Sequence, residues 1–63
     1  MDVLAFTIRQ FCESHNIGRS RLFELWKEGE GPAVMVVGRK RLISVEAAAE
    51  WRRRMEAKAE TSR

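Results

Sequence analysis

The sequence predicts a small, mainly helical α+β domain whose elements run helix, tight turn, helix, two-stranded β-hairpin, helix. Three observations predict it. Apolar residues at helical spacing fall in two short blocks split by Asn16-Ile17-Gly18. Two β-prone runs flank Gly38-Arg39, and a capped apolar stripe follows from Val45 to Met55. With 63 residues the chain makes one domain, spanning 1–63 with an ordered core over about 6–57.

The first helix is expected over 8–15. Thr7-Ile8-Arg9-Gln10 reads as a capping box, the Thr7 hydroxyl accepting from the Gln10 N–H and the Gln10 side chain reaching back to the Thr7 N–H. Ile8, Phe11, Cys12 and His15 then share a face. Asn16-Ile17-Gly18 breaks the helix, with Asn or Gly free to adopt an open backbone and Ile17 as an apolar plug. The second helix is expected from Arg19 to about Glu28. Leu22, Leu25 and Trp26 form its buried face, and Gly29, Gly31 and Pro32 end it.

Ala33-Val34-Met35-Val36-Val37 and Lys40-Arg41-Leu42-Ile43 read as the strands of a hairpin turning at Gly38-Arg39. Ser44 is placed to cap a third helix, and Glu46 sits in the first turn, where the helix dipole favours an acid. Val45, Ala48, Trp51 and Met55 make the apolar stripe of this helix, and Glu50 pairs with Arg54 one turn on. From Glu56 onward no large apolar residue occurs, so the tail over 58–63 is expected to fray.

Composition narrows the function. Twelve Lys and Arg against nine Asp and Glu give a net charge of +3, an excess whose placement matters more than its size. Arg19 and Arg21, then Arg39-Lys40-Arg41, then Arg52-Arg53-Arg54 are the basic groups, with acids mainly between them. A phosphate backbone selects clusters of this kind, although solvated faces carry them too. Cys12 is the sole cysteine, which rules out an internal disulfide and fits a reducing, cytoplasmic location. The amino end has an acid at position 2 and no long apolar run, so it reads as neither a signal peptide nor a membrane span.

Two short helices around a three-residue turn, the second opening Arg-Ser-Arg, suggest a helix-turn-helix. The start of the second helix would enter the major groove. There Arg19 and Arg21 can each grip guanine O6 and N7, and Ser20 can meet a base or a phosphate. Glu24 would accept from a cytosine amine or repel phosphates. A hairpin tipped by Arg39, Lys40 and Arg41 acts as a wing on a phosphate strand or an adjacent minor groove. Its plainer reading is an edge hairpin kept soluble by charge.

Other constellations point to structure. Trp26 and Trp51 lie on apolar stripes and are read as core rather than as base-stacking platforms. Phe23, which follows Leu22, reads either as a core-edge residue or as the edge of the surface that would face DNA. Arg52, Arg53 and Arg54 fan over about 200° of helix, as a solvated surface does. Cys12 and His15 are two potential ligands, too few for a structural zinc site. With no phosphate-cradling glycine loop, no metal cluster and no nucleophile–base pair, the chain is read as a non-enzyme without cofactor.

Over positions 6–55 the chain resembles the small winged helix-turn-helix proteins of the MerR-like superfamily, of excisionase (recombination directionality factor) and AlpA-like regulator type. The carriers are the run Ile17 to Gly29, then Gly31-Pro32, Gly38-Arg39-Lys40-Arg41, and Ser44-Val45-Glu46-Ala47 leading to Trp51. The resemblance implies recognition-helix contacts at Arg19, Ser20 and Arg21, a wing of Arg39, Lys40 and Arg41, and Trp51 in the core. Gly18 departs from the Ser or Thr usual at the helix cap and leaves only backbone donors there. An integrase partner, and protomers binding together on repeated double-stranded DNA sites, are implied as well. The same surface would serve a transcriptional regulator or a phage packaging module. A protein-interaction module without DNA is the reading from another class.

Overall fold

The computed structural model describes residues 3–61. Its elements are β1 (Ala5–Thr7), α1 (Ile8–His15), α2 (Arg19–Lys27), β2 (Met35–Val37), β3 (Lys40–Ser44) and α3 (Val45–Thr61). Three helices accompany a three-stranded antiparallel sheet in the order β1-β3-β2. The sequence reading anticipates two of these strands. The third, β1, pairs Ala5 with Ser44, Phe6 with Ile43 and Thr7 with Leu42. A three-residue strand carries almost no periodic signal, and its ladder partner lies far along the chain.

Local chemistry fixes the helix ends. The capping box forms, with the Gln10 N–H donating to Thr7 Oγ1 at 3.1 Å and the Thr7 N–H donating to Gln10 Oε1 at 3.0 Å. Asn16 ends α1 in the left-handed region at φ 56°, its N–H bonded to the Cys12 carbonyl. Gly29 does the same for α2 at φ 78°. Its N–H donates to the Trp26 carbonyl at 3.1 Å, while the Glu30 N–H reaches the Leu25 carbonyl at 2.8 Å. This double closure is a Schellman motif. Ser44 caps α3 by accepting from the Ala47 N–H at 3.0 Å.

In the hairpin, Met35 opposes Leu42, Val36 opposes Arg41 and Val37 opposes Lys40. Gly38, at φ 62°, takes the first turn position, where a type II′ connection needs a positive φ.

The core is Phe11, Leu22, Leu25, Ile43, Ala48 and Trp51, one or two residues from each helix and from the central strand. Phe6, Ile8, Cys12, Ile17, Trp26, Val34, Ala47 and Met55 pack against it in part. Trp26, read from its stripe as a core residue, is thus only half-buried. Its indole N–H donates to the Pro32 carbonyl at 2.8 Å, and its ring fills the space over Gly31. No helix among the described residues is long and apolar enough to cross a membrane.

Helix α3 continues through Thr61 rather than ending near 57. Two causes act together. Ala57, Lys58, Ala59 and Glu60 are mostly strong helix formers, and one stripe of α3 holds the loop after α2. Trp51 Nε1 donates to the Glu30 carbonyl at 3.0 Å and Arg54 to the Gly31 carbonyl at 3.3 Å, while Lys58 pairs with the Glu30 carboxylate. Positions 62 and 63 of the expected frayed tail lie outside the described residues, as do positions 1 and 2 of the amino end.

The Lys58 ammonium, bonded to the Glu30 carboxylate, holds that group below the usual carboxylate range, with Arg21 and Arg54 adding to the effect against slight desolvation. A folded-state pKa below the unfolded one means the stabilisation is complete above the unfolded value. It is lost as pH falls through the lower, folded value. Glu30→Gln is therefore expected to speed amide exchange over 56–61 at neutral pH, and the gap from wild type closes as the solution is acidified. Equal exchange at neutral pH would show that the pair does not hold the last turns of α3.

Candidate nucleic-acid interface

Burial of Leu22 and Leu25 fixes how α2 is rotated. Arg19, Ser20, Arg21, Phe23, Glu24 and Lys27 are left exposed. At about 100° per residue, Arg19 and Arg21 project on flanks about 200° apart, with Ser20 and Glu24 between them on the outermost side. The N-terminus of α2 has Gly18 as its cap, without a side-chain hydrogen bond.

The flank bearing Arg19 faces the sheet. Arg19, Lys40 and Arg41 line one open groove with Thr7, Ile8, Arg9 and Leu42. Four cations and no carboxylate line it. Arg41 also borders a second hollow, lined by Trp26, Pro32, Val34 and Val36, between α2 and the hairpin. Arg39 stands exposed at the turn that ends the hairpin.

Arg21 goes elsewhere. It lines a cleft with Leu25, Glu28, Glu30, Met55 and Lys58 and pairs with Glu24 at 3.4 Å. The structure thus brings together Arg19, Lys40 and Arg41 of the residues singled out from sequence. It leaves Ser20 and Glu24 on the outer face of α2 and sets Arg21 on the far side of that helix. The rotation between positions 19 and 21 was sufficient to separate them from sequence alone.

Arg9 is the groove residue that sequence reasoning missed. It sits in the first turn of α1 and pairs with Glu13 at 3.4 Å, both side chains being well exposed. Pairing of Thr7 with Leu42 sets the start of α1 beside β3. That proximity is tertiary and leaves no trace in residue spacing.

The third basic group is largely committed to the fold. Arg52 Nη1 lies 2.8 Å from His15 Nε2, and Arg54 bonds both Glu50 and the Gly31 carbonyl. Because a guanidinium only donates, His15 Nε2 accepts there, leaving Nδ1–H to donate to the Phe11 carbonyl at 3.1 Å. The imidazole also stacks on the Phe11 ring at 4.1 Å. His15 is therefore a packing and hydrogen-bonding residue here. Among the described residues, no three His, Cys, Asp or Glu gather where a metal ion could be held.

No family model, curated protein or solved structure matches the chain.

Proposed function

We propose that this chain is a winged helix-turn-helix protein that binds double-stranded DNA, acting as an excisionase-type accessory factor at repeated sites. The observation that carries the reading is the shared groove of Arg19, Lys40 and Arg41, joined by Arg9. A helix start and a hairpin with cations on a common side can engage one duplex together, α2 in the major groove and the hairpin on the adjoining phosphates. Arg39, at the turn, extends that contact. Ser20 and Glu24 meet base edges, and Arg21 reaches the phosphate strand on the other flank of α2.

One such module buries about 600–1,000 Å² of its own surface on DNA, which limits affinity for a single site. Neighbouring protomers on tandem sites supply the missing occupancy. The resemblance to excisionases supplies the biological role: biasing an integrase toward excision.

A salt titration of duplex binding tests the DNA reading. Affinity is expected to fall steeply with salt, and Lys40→Gln and Arg41→Gln each flatten the slope by about one. Arg19→Ala is expected to cost about 1–3 kcal/mol and to relax sequence preference, as loss of a bidentate base contact does. Arg21→Ala weakens all sequences alike. Salt-insensitive or undetectable binding removes the proposal. Recombination of attachment-site DNA by an integrase, with and without the protein, tests the excisionase role.

A further inference from the structure

Among the described residues, Phe23 is the only exposed aromatic ring, at 37 %. It is nevertheless held firmly. Trp26 meets it edge to face at 5.2 Å and 76°, and Trp26 is itself tied to the Pro32 carbonyl at 2.8 Å. On the other side the Arg19 guanidinium lies 5.6 Å from the ring centroid. The ring thus stands between Arg19, which lines the cationic groove, and Trp26, which lines the neighbouring hollow.

An apolar ring held beside a cation and still 37 % exposed can meet a small apolar group on an otherwise polar partner. The edge of a base pair in the major groove offers one such group, the 5-methyl of thymine. Cation–π contact with Phe23 also limits the directions in which Arg19 can aim its donor fork. Part of the ordering cost is therefore met before any ligand arrives.

We infer that Phe23 is a specificity-determining residue that receives a thymine 5-methyl group, beside a guanine gripped by Arg19. The inference rests on the duplex-DNA reading above. It assigns to the site a thymine that no hydrogen bond reads.

Selection from a random-sequence duplex library with the wild-type chain supplies the probe. Each thymine of the selected duplex is then replaced by uracil, which deletes only the methyl group. At one position adjacent to a guanine the wild type is expected to bind about fourfold more weakly. In Phe23→Ala the same replacement changes nothing, a non-additivity that ties the methyl to this ring. If a sequence is selected but no uracil replacement weakens wild-type binding, the inference fails while the DNA reading stands. It fails equally if Phe23→Ala leaves single-site affinity intact and abolishes only cooperative binding, because a second copy then covers the ring. Enrichment of no duplex at all overturns both.

Discussion

Trp51→Ala is expected to unfold the domain, at a cost of about 3–5 kcal/mol. Trp51 is 9 % exposed, lies edge to face on Phe11 at 5.4 Å and donates its indole N–H to the Glu30 carbonyl at 3.0 Å. Truncation opens a cavity in the centre of the core and strips that carbonyl of its donor. A chain this short has only about 3–5 kcal/mol of net stability to lose. Circular dichroism against temperature would show a broad or absent transition. A cooperative melt at the wild-type midpoint would remove Trp51 from the core. Trp51→Phe keeps part of the packing and should lie between the two.

Gly31→Ala is the second large effect. A Cβ at position 31 would lie 2.2 Å from Trp26 Cδ1 and 2.7 Å from Nε1. The indole cannot retreat without giving up its 2.8 Å bond to the Pro32 carbonyl. Overpacking of this kind costs about 1–3 kcal/mol, read as a lowered denaturant midpoint. Because the clash is with one ring, the penalty should shrink in a Trp26→Ala background, which removes the atoms the new Cβ meets. Strict additivity of the two substitutions would place the strain elsewhere.

Features that one or two neighbouring residues decide were legible in the sequence. The Thr7–Gln10 box, the Asn16 and Gly29 stops, the Gly38 turn and the Ser44 cap each rest on a hydrogen bond or a φ angle within a few positions. The bounds of α1 and the start of α2 follow from them. What was not legible depends on distant partners. Strand β1 exists because β3 offers it a free edge, and the last turns of α3 are held by Glu30 of another element. Trp26 sits at a helical spacing that sequence equates with burial. Its outer face stays open because the chain from Pro32 to Val36 forms a hollow beside it.

The candidate site was legible in kind more than in membership. Charge clustering at Arg19 and over 39–41 marked both ends of the groove, since clustered cations are visible without coordinates. Membership depends on orientation. Helical rotation sends Arg21 away from the hairpin, and the packing of α1 on the sheet adds Arg9.

The short segment Glu30-Gly31-Pro32 is grasped from two directions. Trp51, Arg54 and Lys58 hold its first two residues from the last helix, and Trp26 takes the carbonyl of the third from α2. It therefore works as a tie-bar. Loosening the grip on one end lets the brace beneath Phe23 relax at the other. On the DNA reading proposed above, changes on the stripe of α3 that grips this segment are expected to register as blurred discrimination between target sequences.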